Sequence, residues 1–420
     1  LVRPLLFIGI FFLWPLANIL RLSLVPETVA ALWQRPFLLN TLWFTIWQAA
    51  LSTFLTLLIG LPAAFLFARY DFSGKQLLRS LTTIPFVMPT VVVAAAFRAL
   101  LGSGSPLNRW LMAWFDLSSP PLQLDQTLTI ILIAHVFYNV TVVVRLVGGF
   151  WANLNPRLTE AAQVLGASPR RAFLAVTLPL LRPALISAAT LIYLFTFTSF
   201  GVILILGGPA FSTLETEIYR QYVTFLNPEI AAALSLLQII FTFVLMSFYA
   251  RWQQKTAVSL DFRPQQATLR RPQSWPERLF AWAVVVGLVL FLLTPLLALV
   301  GQSLVDRTGQ FTLAYYEALP NLRRGSIIFV PPLTAVRNSV GYALLTLLVA
   351  GVVGLLTATV LARPSRSRRW LEPLFMLPLG ASAVTLGFGY VVTFDELRTS
   401  PLLVLIAHTL VAFPFVVRSL

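Results

Sequence analysis

Residues 38–67 read LLNTLWFTIWQAALSTFLTLLIGLPAAFLF, and no charged residue stands between Arg35 and Arg69. Crossing the roughly 30 Å of bilayer hydrocarbon takes about 20 apolar residues in a helix. The run from Asn40 to Ala68 is longer than that, so it is expected to tilt or to continue past the hydrocarbon. A water-soluble domain has no place to hide such a segment, whereas lipid suits it on every face.

The whole chain shares this character. Its 420 residues are 58% hydrophobic and 11% charged, with a mean hydropathy of +0.83. A soluble domain carries roughly 25% charged residues, and this chain has too few to coat a water-facing exterior. Apolar runs of spanning length recur at about 5–22, 38–67, 81–101, 127–148, 184–206, 231–250, 279–301, 334–361, 373–393 and 401–420. The expected fold class is all-α, a polytopic transmembrane helical bundle with about ten spans. The first run lacks a small-residue cleavage site and contains Trp14-Pro15, so it is read as a retained span rather than a signal peptide.

Charge placement sets the orientation. Basic residues crowd one set of loops: Arg69, Lys75 and Arg79; Arg157, Arg170, Arg171 and Arg182; Arg251 to Arg278; and Arg363 to Arg369. The alternate loops hold fewer, at Arg35, Arg109, Arg220, Arg307, Arg323, Arg324 and Arg398, mixed with acids such as Glu27, Glu215, Glu217, Asp395 and Glu396. The excess of Lys and Arg marks the first set as cytoplasmic and puts the N-terminus there too. The net charge of +15 is therefore a topology signal, not the footprint of a nucleic-acid binder.

The polar stretch 251–278, rich in Arg, Gln and Pro, reads as a cytoplasmic linker between two halves, 1–250 and 279–420. The halves repeat one another. Asn40 answers Asn338, Ala68-Arg69 answers Ala362-Arg363, and Ile84-Pro85 answers Leu377-Pro378. Ile133-Ala134-His135 answers Ile406-Ala407-His408, and an arginine follows each histidine at the same distance, Arg145 and Arg418. With an even number of spans per half, the repeats are parallel, which implies a pseudo-two-fold axis along the membrane normal and a pathway between the halves.

The loop after the fourth span, at about 151–182, carries Glu160-Ala161-Ala162, then Gly166, Ser168-Pro169 and Leu178-Pro179. Asn155-Pro156 and the good helix formers behind it start a short helix. Gly166 suits a left-handed end and Ser168-Pro169 starts a second helix, which Pro179 is expected to close. The segment is too short and too charged to span, and its small-residue tip suits docking on a soluble partner.

Glu-Ala-Ala, three residues, Gly, nine residues, a β-branched apolar residue, one residue and Leu-Pro resembles the EAA motif of ABC importer permeases, filled at every position. The fused halves, the stretch Ile133 to Asn139 and the turn Leu204 to Pro209 resemble permeases of the ferric-iron and thiamine type. The resemblance implies that Glu160, Ala161, Ala162, Gly166 and Pro179 form or shape a loop that couples to a separate cytoplasmic ATPase. It further implies two ATPase copies, an extracytoplasmic solute-binding protein and a bacterial inner-membrane location. The offset of the repeat carries Glu160 to a position beyond Leu420, so a second EAA loop and two more spans, twelve in all, are expected there, which makes the second half incomplete at its C-terminus.

Other chemistry is missing. No phosphate-cradling Gly-x-x-x-x-Gly-Lys-Ser/Thr occurs, so ATP hydrolysis is expected on a separate subunit and no cofactor is implied. There is no cysteine, and only two histidines, which leaves no metal cage. His135 and His408 fall within or near the membrane and are read as interhelical or pathway residues. Glu215 with Glu217, and Asp395 with Glu396, read as solvated outer-loop carboxylates. The expected mechanism is alternating access, with a small solute, ferric iron or thiamine, moved inward. The rival reading, an ion-coupled secondary transporter with internal repeats, commonly needs an intramembrane acid, and no acid lies inside a run.

Overall fold

The computed structural model describes residues 2–24, 36–255, 269–306, 309–322, 330–362 and 368–419. Residues 256–268 of the linker and Glu27, Arg35, Arg307, Arg323, Arg324, Arg363 and Arg366 lie outside the described residues. The described chain is a polytopic bundle of helices, and its only extended pairings are two isolated bridges.

Among the described residues, eight helices are long and apolar enough to span. They are α1 (Val2–Ser23), α2 (Pro36–Arg69), α3 (Thr90–Phe115, with a break before Pro106), α4 (Leu128–Asn153), a fifth over Pro169–Phe197, and then Pro228–Tyr249, Trp275–Ser303 and Pro332–Leu361. Two shorter apolar helices, Ala383–Thr393 and Pro401–Val417, follow. Each of the ten apolar runs has its helix. At 1.5 Å per residue, the 34 residues of α2 reach about 50 Å, well beyond the hydrocarbon thickness, as its unbroken apolar sequence required.

The described residues form two compact units, neither of them one stretch of chain. The first joins Leu1–Thr41, Leu214–Val244 and Ser303–Leu420. Its core sets Ile8 and Phe12 of α1 among Leu361, Phe375, Tyr390, Leu410 and Phe413, with the Phe7 ring edge-on to Phe413 at 5.9 Å. The second joins Leu42–Thr213 and Leu245–Gln302. There Leu288 and Leu292 pack among Phe97, Ile130, Phe137 and Ile203.

Small residues let α2 and α4 approach closely in the second unit. A Cβ added at Gly148 would meet the Cα and carbonyl oxygen of Ala64 at 3.3 Å, while Ala64 and Ala68 are fully buried. In lipid, where apolar side chains gain little by leaving the solvent, such backbone proximity supplies the packing that holds helices together.

Candidate functional site

The loop after α4 folds as a helical hairpin. Asn155 starts it, its Oδ1 accepting the Arg157 backbone N–H at 3.1 Å, and α5 runs over Arg157–Val164. The helix ends at Gly166, whose φ of +90° lies in the left-handed region. The Ala167 N–H donates to the Ala162 carbonyl at 3.0 Å and the Gly166 N–H to that of Gln163 at 2.9 Å. This pair of bonds is a Schellman cap, which satisfies the last carbonyls of the helix and needs a residue that tolerates positive φ. Ser168 then caps the next helix, its Oγ accepting the Arg171 N–H at 3.4 Å, with Pro169 in the first turn.

Two contacts fix the arms. The hydroxyls of Thr159 and Thr177 are hydrogen-bonded at 3.0 Å, and the Phe173 ring lies 6.0 Å from that of Trp151 beside buried Ala172. The tip is left bare: Val164 is 87% and Leu165 88% exposed. Glu160, Ala161 and Gly166 are also exposed, and Ala162 is half-buried.

Pro179 does not close the second arm, contrary to expectation. The chain widens into a π-turn at Phe173–Thr177, and Pro179 enters the first turn of the continuing helix Leu178–Phe197. Proline lacks an N–H and its ring crowds the carbonyl four residues back. The extra residue in the turn relieves both problems, so the arm runs into the fifth span as one helix, α6 (Pro169–Phe197).

His135 is 2% exposed and lies between two hydroxyls: Nδ1 is 3.0 Å from Ser52 Oγ on α2, and Nε2 is 2.9 Å from Ser199 Oγ just past α6. Ser52 belongs to a buried polar stripe on α2, Thr45, Gln48, Ser52 and Thr56, none of them exposed to solvent. The Gln48 amide donates to the Thr196 carbonyl at 3.2 Å. The spacing of three and four residues places the stripe on one helix face. That periodicity lies within the opening run, where the surrounding hydropathy masks it. His408, the repeat mate, is exposed. Arg145 is exposed and donates to Thr83 Oγ1 at 2.9 Å.

Glu215 and Glu217 correct a second expectation. They are 1% and 0% exposed, on the short helix α7 (Leu214–Tyr219), and not on a solvated loop. Glu215 accepts hydrogen bonds from the Gln238 amide on α8 (Pro228–Lys255) and, at 2.7 Å, from the Ser382 hydroxyl. Glu217 accepts from the Gln221 amide at 2.6 Å. Asp395 and Glu396 are exposed as expected, Asp395 pairing with Arg398 at 3.2 Å. Among the described residues no group of three acidic or histidine side chains could hold a metal ion.

Residues 56–258, which enclose the hairpin and His135, match the family model of the binding-protein-dependent transport system inner membrane component. The chain is 27% identical over 386 residues to the thiamine transport system permease protein ThiP of Brucella abortus, an alignment covering 90% of this chain and 67% of the relative. It is 26% identical over 265 residues to a putative 2-aminoethylphosphonate transport system permease protein, PhnU, of Salmonella typhimurium, covering 61% of this chain and 93% of that one. A chain in the crystal structure of a bacterial alginate ABC transporter shares the fold, with a TM-score of 0.52, 18% identity, and coverage of 62% of this chain and 94% of its own. This multi-pass membrane protein is thus similar, in sequence and in fold, to the permease subunits of ABC importers.

Proposed function

We propose that the permease moves thiamine inward by alternating access, driven by separate ATPase subunits that grip the 157–179 hairpin. The observation that carries the coupling role is the bare apolar tip, Val164 and Leu165, held beyond a fixed Schellman turn. Two adjacent aliphatic side chains, almost wholly exposed on a helix end clamped at its base, form a ready-made knob for a cleft. Glu160, Ala161, Ala162 and Gly166 shape that knob, and the π-turn makes the second arm continuous with α6. A push on the tip is therefore transmitted to a membrane helix without a hinge between them.

In this reading the hairpin and the N-terminus face the cytoplasm of a bacterial inner membrane, and two ATPase copies and an extracytoplasmic binding protein complete the importer. Residues 1–250 and 279–420 are its two permease halves, joined by the 251–278 linker. Thiamine is favoured over ferric iron because the likeness to thiamine permeases runs through 90% of the chain. His135 acts between helices, since both ring nitrogens are engaged by hydroxyls from other segments.

The test is co-expression of the full-length gene with its neighbouring ATPase and binding-protein genes. ATP hydrolysis in proteoliposomes should rise when thiamine-loaded binding protein is added. Val164→Asp with Leu165→Asp should abolish the rise while the permease still inserts. Stimulation by 2-aminoethylphosphonate or iron alone would reassign the cargo. Thiamine uptake that persists without the ATPase would favour an ion-coupled carrier.

A further inference from the structure

Glu215 contacts two well-separated parts of the chain deep within its unit. Gln238 stands ten residues along α8, about 15 Å from the start of that helix, and is 1% exposed. Ser382 caps the helix Ala383–Thr393, its Oγ accepting the Val384 and Thr385 N–H groups at 3.2 and 3.3 Å while it donates to Glu215. The carboxyl is 1% exposed, and both of its partners are neutral. Titratable groups on α7, the turn after it, α8 and the helix Ala383–Thr393 are Glu217, Tyr219, Arg220, Tyr222, Glu229, Tyr249, Arg251, Lys255 and Tyr390, and the bonds that Glu215 makes are to Gln238 and Ser382.

The contact is also one hydrogen short. The Gln238 Oε1 is buried without a donor, as is the hydroxyl of Thr385, one turn beyond Ser382. A buried amide oxygen without a partner costs about 1–3 kcal/mol, and a buried carboxylate without a counter-charge costs more. One added hydrogen removes the larger penalty, the uncompensated charge. If Glu215 carries a proton, the carboxyl is neutral among neutral partners, and its O–H can donate to Gln238 Oε1 once the amide turns, while Ser382 keeps its bond to the other carboxyl oxygen.

We propose that Glu215 binds a proton that latches α7 to α8 and to the N-terminus of the helix Ala383–Thr393. The reaction is a plain protonation, carboxylate plus proton giving carboxylic acid. The proton returns to water when the helices part and the carboxyl becomes hydrated. The packed arrangement is then favoured at low pH and loosened as pH rises, by up to about tenfold per unit, between the point where the hydrated carboxyl loses its proton and the higher point where the buried one does; above that the loosening levels off.

The experiment uses the full chain in lipid nanodiscs. Infrared spectra at neutral pH should show a protonated-carboxyl C=O stretch in wild type that is absent in Glu215→Gln. Backbone hydrogen exchange in 214–219 and 382–386, corrected for intrinsic rates, should quicken severalfold between pH 6 and pH 8 in wild type and stay flat in Glu215→Gln. If Glu215→Gln does not fold, Ser382→Ala keeps the carboxyl and should move its band and steepen the exchange response. A wild type without the band, or a Glu215→Gln that loosens as wild type does, overturns the proposal. Slowing of exchange by sodium in place of choline at fixed pH overturns it as well, since the site would then take a metal cation.

Discussion

Gly166 offers a way to separate the shape of the hairpin from its surface. Its φ is +90° and no atom lies within 4 Å of a Cβ built upon it, so alanine there meets no steric obstacle. The cost is confined to the backbone, about 1–2 kcal/mol for placing an L-residue in the left-handed region. That cost lowers the population of the capped turn by a factor of about 5–30. A partner that accepts only the capped turn would bind correspondingly more weakly. Asparagine tolerates the left-handed region far better, so Gly166→Asn should recover most of the loss despite its larger side chain. Titration of the purified ATPase subunit against the permease in nanodiscs measures the effect directly, with thermal unfolding of the permease as a control that should barely move. Equal affinity for wild type, Gly166→Ala and Gly166→Asn would refute the argument that the turn presents the tip.

Further predictions follow from single contacts. His135→Ala removes the partner of two buried hydroxyls and leaves a cavity, for an expected loss of about 2–4 kcal/mol in detergent unfolding. The same change at exposed His408 should stay within about 0.5 kcal/mol. Gly148→Val forces apart α2 and α4 at the Ala64 backbone and should cost about 1–3 kcal/mol, whereas Gly149→Ala, with nothing within 4 Å, should be almost neutral. Arg270 grips Glu277 with two hydrogen bonds of 3.0 and 2.5 Å, but its side chain is 52% exposed. Arg270→Ala should therefore lower stability by no more than about 1 kcal/mol, and the loss should shrink in high salt.

The spans were legible because hydrophobic runs of helical length leave the backbone no other way to satisfy its hydrogen bonds in lipid. The hairpin was legible because its punctuation is local: Asn155-Pro156, Gly166 and Ser168-Pro169 each act within four residues. Pro179 misled because a proline is a stop signal only if the preceding turn keeps the ordinary helical pitch. Glu215 and Glu217 misled for a different reason. Two acids in a short polar stretch read as a surface, and the residues that bury Glu215, Gln238 and Ser382, are 23 and 167 positions away. The asymmetry between His135 and His408 was equally out of reach, since identical local sequence can meet different neighbours.

The polar stripe of α2 bears on how the protein is made. Thr45, Gln48, Ser52 and Thr56 emerge from the ribosome well before His135 and Thr196, which engage two of them in the finished bundle. Until then Ser52 and the Gln48 amide can satisfy themselves only within their own helix or with water drawn into the bilayer. The newborn helix should accordingly linger beside the insertion machinery, and release into lipid should wait for α4 and α6. Truncation of nascent chains before residue 196 would leave α2 stalled there, which makes this single helix face a timer for membrane assembly.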